Sequence, residues 1–197
     1  MFTGLVETIG EVTRVDHTSD ALTLTISTPS GYSEFVHGES ISVDGVCLTV
    51  ISLTQNSFTV DVMRETLKVT SLKSVAVGKK VNVERAILAA GRLGGHYVQG
   101  HIDAVGTLEL RKPGEKWEYF TFNLPKGISR YIVKRGSIAI QGVSLTVVDI
   151  SKRHLTVSLI PETLRATTLS LLQPGDEANF EVDILAKYVE KALGKSK

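Results

Sequence analysis

Ser40-Ile-Ser-Val-Asp-Gly-Val-Cys-Leu-Thr-Val50 returns 97 residues later as Ser137-Ile-Ala-Ile-Gln-Gly-Val-Ser-Leu-Thr-Val147, with seven of the eleven positions identical. The same offset carries Glu65-Thr66-Leu67 onto Glu162-Thr163-Leu164, Gly78 onto Gly175, Asn82 onto Asn179, Glu84 onto Glu181 and Ile87 onto Ile184. Near the N-terminus the offset becomes 96, so that Gly4 falls on Gly100 and Gly10 on Gly106. A register held this long means an internal duplication, and a repeat of this size is read before any single element.

Within each copy the patterning is β. Ala21–Thr28, Ser57–Met63, Glu118–Leu124 and His154–Ile160 alternate with period two, which puts one face inward and the other outward. Turn signals separate them at Pro29-Ser30-Gly31, Asp44-Gly45, Gln55-Asn56, Pro113-Gly114 and Pro174-Gly175. Many short strands at this spacing predict closed barrels, because closure removes exposed sheet edges. Each copy also has one short helical candidate, Tyr32–His37 and Ile128–Arg135. The fold expected is all-β: two tandem barrels, spanning 1–93 and 94–184, and a C-terminal amphipathic helix over 185–197. Ala89–Gly95 is the short glycine-rich join, so the barrels should be adjacent. The final helix places Leu185, Tyr188, Val189, Ala192 and Leu193 on one face. With two finished barrels before it, that stripe either packs back or meets copies of itself, and the oligomer is the preferred reading.

Bulk properties exclude several classes of function. The chain has 197 residues, of which 42% are hydrophobic and 22% charged, with a net charge of +1. That is ordinary for a globular protein and gives no footprint for nucleic acid or an anionic membrane. No apolar run is long enough to span a bilayer, and no signal peptide precedes the first copy. The single cysteine, Cys47, rules out an intrachain disulfide and fits a reducing cytoplasm. The five histidines are scattered, so no metal site is expected.

The duplication also filters for chemistry. Shared positions fold the barrel or bind something common to both copies, whereas unlike positions are free to take separate jobs. Cys47 falls on Ser144, Leu5 on His101 and Ala86 on Asp183. Each has a plainer reading. A lone cysteine is usually a small hydrophobe. His101 could satisfy a barrel-end hydrogen bond. Asp183 could cap the last helix. Ser144 and Thr146 could be ordinary strand residues. Position favours function: Cys47, Thr49, Ser144 and Thr146 follow the Gly45 and Gly142 turns in the best-preserved segment. Polar side chains on an inward face would be costly without partners, so their retention suggests a shared polar pocket.

These residues resemble the riboflavin synthase family. The resemblance rests on Met1-Phe2-Thr3-Gly4, on the paired Gly45–Val50 and Gly142–Val147 segments, on Gly95-His96-Tyr97-Val98-Gln99-Gly100-His101 and on Ile160-Pro161-Glu162-Thr163-Leu164. It runs from the first residue to the C-terminal helix. It implies two six-stranded Greek-key barrels, a homotrimer held by C-terminal helices, an association with lumazine synthase, and neither metal nor cofactor. It implies that two molecules of 6,7-dimethyl-8-ribityllumazine dismutate to riboflavin and 5-amino-6-ribitylaminouracil, one lumazine in each barrel. The implied catalytic candidates are Cys47, Ser40, His101, Ser144 and Asp183. Implied binding positions are Phe2, Gly4, Leu5, Val6, Leu48, Thr49, Asp61, Val62, Met63, Arg64, Glu65 and Thr66 in the first barrel. In the second they are Gly100, Ile102, Arg135, Leu145, Thr146, Ser158, Leu159, Ile160, Pro161, Glu162 and Thr163. Arg135 stands where the family often has lysine, which exchanges a point charge for a planar fork. The rival reading is a non-catalytic lumazine- or riboflavin-binding fluorescent protein of the same superfamily.

Overall fold

The computed structural model describes residues 1–18, 20–30, 32 and 35–194. Its first barrel contains β1 (Thr8–His17), β2 (Ala21–Ser27), β3 (Ser40–Val43), β4 (Val46–Thr54), β5 (Ser57–Met63) and β6 (Lys80–Arg85). The second contains β7 (Ala104–Pro113), β8 (Glu118–Asn123), β9 (Ser137–Ile140), β10 (Val143–Ile150), β11 (His154–Leu159) and β12 (Glu177–Val182). Each sheet closes with one strand order, β1-β2-β5-β4-β3-β6 and its equivalent β7-β8-β11-β10-β9-β12. All neighbours are antiparallel. The duplication extends to the irregularities. β1 is bulged between Val12 and Arg14, and β7 between Leu108 and Leu110. β4 and β10 are bulged between Val50 and Ser52 and between Val147 and Asp149. Bulges add local twist, which a six-stranded sheet needs in order to close.

Alternation decides what fills each barrel. Leu22, Leu24, Ile26, Leu48, Val50, Phe58, Val60 and Val62 point into the first. Leu108, Phe120, Phe122, Leu145, Val147, Leu155, Val157 and Phe180 point into the second. Barrels this narrow are filled by side chains and hold no internal ligand. Cys47 and Ser144 are therefore only half-buried, and Thr49 and Thr146 are exposed, all on the outer face. The expected inward polar pocket is corrected on this point: the alternation that sends Leu48 and Val50 inward turns their polar neighbours out.

The short helices fall elsewhere than expected. Tyr32, Phe35 and Val36 have no regular structure and His37 lies in a turn, while Ser33 and Glu34 lie outside the described residues. Phe35 is instead anchored in the core, 4.8 Å from Phe58 between ring centroids. Only Ile128–Tyr131 of the second candidate forms a turn of 3-10 helix. Two helices form after β5 and β11 instead, α1 (Arg64–Val69) and α2 (Pro161–Ala166). Pro161 opens α2, where its missing N–H costs nothing. Each is followed by a 3-10 turn, Ser71–Ser74 and Thr168–Leu171.

The barrels meet on a pseudo-twofold axis. The turns Asp44-Gly45 and Gln141-Gly142 all have positive φ and lie back to back. A Cβ on Gly45 would come within 2.6 Å of the Gly142 nitrogen. Asn82 donates to the Gln141 carbonyl at 2.9 Å and accepts from the Thr168 N–H at 2.7 Å. Asn179 donates to the Asp44 carbonyl at 2.9 Å and accepts from the Ser71 N–H at 2.7 Å. Phe2 and Val98 add a reciprocal backbone bridge.

The C-terminal helix α3 (Ile184–Ala192) is anchored by Lys187–Asp103 at 2.6 Å and Arg130–Glu190 at 3.3 Å. Its apolar stripe is not packed back: Leu185, Tyr188, Val189 and Leu193 are 58–68% exposed. Among the described residues no helix is long and apolar enough to cross a membrane.

Candidate functional site

The segments before β1 and β7 cross over. Gly100 accepts a hydrogen bond from the Cys47 N–H of the first barrel at 2.9 Å. Gly4 accepts one from the Ser144 N–H of the second at 2.8 Å. Ile102 packs on the first core and Val6 on the second. Gly4-Leu5-Val6 thus serves the second barrel, and Gly100-His101-Ile102 the first, the reverse of the grouping read from the sequence. Both glycines have positive φ, 77° and 80°. A Cβ on Gly4 would meet the Ser144 Cβ at 2.6 Å, and one on Gly100 would meet the Cys47 Cβ at 2.5 Å. Only glycine lets the backbones approach this closely.

A buried carboxylate holds each crossing segment. Glu84 accepts from the Thr3 N–H (2.7 Å), the Thr3 hydroxyl (2.8 Å) and the Gly4 N–H (3.1 Å). Glu181 accepts from the N–H groups of Gln99, Gly100 and His101 at 2.6, 2.7 and 3.1 Å. Burial pushes both carboxyls above the usual range, opposed by these hydrogen bonds.

The first result of the crossing is a cleft of about 380 Å³ lined by Val46, Cys47, Glu65, Thr66, Val69, Thr70, Gly100, His101 and Ile102. It joins six of the sequence-derived positions, including a thiol and an imidazole from different copies. Its pseudo-equivalent on the second barrel differs. There the Ser144 hydroxyl meets His96 Nδ1 at 2.7 Å. His96 is 8% exposed, and its Nε2 has no hydrogen-bond partner among the described residues. Burial lowers the His96 pKa, partly offset by the nearby Asp183 charge. The linker presses on this side: a Cβ on Gly94 would lie 2.5 Å from Leu5, and one on Gly95 2.0 Å from the Thr3 carbonyl.

His96 was missed as a candidate because comparison of the copies finds no partner for it. At an offset of 96 its counterpart would precede Met1. Only its place in the Gly95–His101 motif marks it.

Other predicted positions spread around these clefts. Asp61 accepts from the Thr23 hydroxyl at 2.6 Å on the outer face, and Met63 and Arg64 are exposed beside it. Ser158 is half-buried; Ile160, Pro161 and Glu162 are exposed, and Thr163 holds in α2 the place of Thr66 in α1. Leu48, Val62, Leu145, Leu159 and Phe2 are buried, so a surface ligand can meet little more than their backbone. Ser40 registers against Thr49 across β3 and β4. Asp183 accepts from the Leu185 N–H at 3.0 Å as the cap of α3. It also lines an apolar cleft of about 560 Å³ with Ser137, the counterpart of Ser40, and with Val133, Leu185 and Val189. Arg135 is exposed with φ 67°, where the first copy has Gly38 at 84°. Among the described residues no group of three or more His, Cys, Asp or Glu is placed to hold a metal ion.

Paired barrels of one design, with a cleft where the second copy's loop crosses onto the first, define a duplicated double-barrel protein. A family model described as "Lumazine binding domain" matches residues 3–86 and 99–183, one match per barrel. The chain is 46% identical to the riboflavin synthase of Mycobacterium tuberculosis over 197 residues, 98% of each chain. It is 43% identical to that of Bacillus subtilis over 199 residues, covering all of this chain and 91% of the relative. The solved structure of LumP complexed with riboflavin superposes with a TM-score of 0.86 at 25% identity, covering 92% of this chain and 99% of that one. LumP complexed with 6,7-dimethyl-8-(1'-D-ribityl) lumazine, at 24% identity and a TM-score of 0.83, shares the fold. The chain belongs to the riboflavin synthase family of lumazine-binding enzymes, and its activity is that of a transferase.

Proposed function

We propose that the chain converts two molecules of 6,7-dimethyl-8-ribityllumazine into riboflavin and 5-amino-6-ribitylaminouracil in the cytoplasm. The observation that carries this reading is a duplicated frame with unmatched polar groups: Cys47 and His101 line a cleft on one barrel, and Ser144 is hydrogen-bonded to His96 at the equivalent place on the other. A dismutation needs that combination, because both substrates are the same molecule but one gives a four-carbon unit and the other accepts it. The two products together contain every atom of the two lumazines, so no oxidant or reductant is consumed.

One lumazine loses a proton from its 7-methyl group, and the charge spreads into the ring. His101 is assigned as the base or shuttle, since an imidazole nitrogen can take up and release a proton and the ring lines the Cys47 cleft. The other lumazine is activated by addition of a nucleophile, for which Cys47, Ser144, water or a ribityl hydroxyl could serve. Asp183 and Ser40 bind ribityl hydroxyls in this scheme, and Thr66 and Thr163 meet the pyrimidine edges. Holding the two rings face to face turns a bimolecular step into an effectively intramolecular one, worth up to roughly 7–11 kcal/mol. The exposed stripe of α3 supports a homotrimer, in which the first barrel of one subunit faces the second barrel of its neighbour.

The test is incubation of the purified protein with the dimethyl lumazine alone. Riboflavin and the pyrimidine should appear in equal amounts. Tight fluorescent binding without turnover would instead make the chain a ligand carrier.

A further inference from the structure

We infer that Glu181 is a positioning residue for His101: its carboxylate holds the crossing loop that carries the imidazole into the Cys47 cleft of the other barrel. The inference rests on the role proposed above for His101.

His101 belongs by sequence to the second copy but lines a cleft of the first. The loop that carries it has no regular secondary structure, so sheet hydrogen bonds do not fix its path. It is pinned from two sides instead. The carbonyl of Gly100 faces the first barrel and accepts the Cys47 N–H at 2.9 Å. The N–H groups of Gln99, Gly100 and His101 face the second barrel, and all three end on Glu181. Glu181 is itself fixed in β12, paired in register with Ala139 of β9, and is 2% exposed. Three N–H bonds to one charged acceptor are short and strong, and removing the acceptor leaves three donors unpaired.

The first copy shows that the device is separable from its cargo. Glu84 grips Thr3 and Gly4 in the same way, but the residue carried next is Leu5. The copies therefore share the clamp and differ in what it delivers. Loss of Glu84 displaces an apolar side chain, whereas loss of Glu181 displaces the imidazole that lines the Cys47 cleft.

Glu181→Gln replaces one acceptor oxygen by an amide that opposes the loop N–H groups. Turnover should fall on the order of ten- to a hundred-fold with KM little changed, as for a misplaced catalytic group. In a His101→Ala background the same substitution should add no further loss, because its effect passes through the missing ring. Glu84→Gln should multiply with His101→Ala. Independently of activity, the ring resonances of His101 should shift in Glu181→Gln and stay in place in Glu84→Gln. Glu181→Asp keeps the buried charge and shortens its reach by one methylene. It serves where the amide variant does not fold, and should shift the same resonances less. Multiplicative losses for Glu181→Gln with His101→Ala, or an unmoved His101 ring, would overturn the inference. A wild-type protein that makes no riboflavin would overturn the proposed reaction instead, and the ring resonances would still decide the positioning.

Discussion

Asp44 and Gln141 occupy equivalent turns and make equivalent bonds. Asp44 Oδ1 accepts the Asn82 N–H and Gln141 Oε1 the Asn179 N–H, both at 2.8 Å. A neutral amide does this job in one copy, so the joint does not need charge. Asp44 is completely buried and its Oδ2 has no hydrogen-bond partner among the described residues. Burial raises its pKa from 3.8 to about 6, against the opposing pull of Lys79 and the Asn82 N–H. Folding therefore favours the protonated acid. Its contribution to stability is full below pH 3.8 and is lost as pH rises to about 6, a difference of about 3 kcal/mol. Asp44→Asn keeps the acceptor and tolerates φ 47°. It should melt higher than wild type at pH 7.5 and show a flatter stability profile between pH 4 and 6. Coincident profiles would show that Asp44 carries no such load. Arg135 is the other residue whose cost is visible. Its left-handed backbone is strained by about 1 kcal/mol, while the first copy has glycine there. Arg135→Gly should raise the melting temperature and weaken lumazine binding in a fluorescence titration. An unchanged affinity would leave the strain without a reason. The duplication pointed to Cys47, Ser144 and His101, but it passed over His96, which has no partner residue to be compared with.

At the scale of elements, strands were legible and short helices were not. Period-two alternation survives in β2, β5, β8 and β11 because each has one face on a core. α1 and α2 are six residues each, with no buried side chain, so no apolar stripe marks them. α3 was legible because it is longer and strongly amphipathic. Its N-cap is Asp183, which the sequence also put forward as a site candidate. Asp183→Ser keeps a capping oxygen and removes the charge near His96. Helix stability should hold while turnover falls, as circular dichroism and steady-state rates would show; full activity would leave Asp183 a cap only. Truncation after Asp183 removes the exposed stripe. Sedimentation should then report a smaller species with lower activity, and an intact, active oligomer would free α3 from that role.

For the molecule as a whole, the two barrels are not independent. Asn82 and Asn179 each bond across the axis, and Val6 and Ile102 each pack on the other barrel's core. Opening one barrel leaves buried polar groups of the other unpaired, at about 1–3 kcal/mol for each group. Calorimetry should therefore show a single unfolding transition. Two resolved transitions would mean that the crossing segments contribute little. The sequence by itself determined the duplication, the faces of β2, β5, β8 and β11, the barrel closure and the amphipathic last helix, since all of these follow from periodicity and turn chemistry along the chain. Tertiary structure alone decided which copy serves which cleft. His101 lines the Cys47 cleft, and Gly4 meets Ser144, because each glycine loop satisfies its N–H groups on its own barrel's glutamate and its carbonyl on the opposite barrel. Pairings between residues so distant along the chain leave no mark in local pattern; they are chosen where backbone donors and acceptors can be buried without being left unpaired.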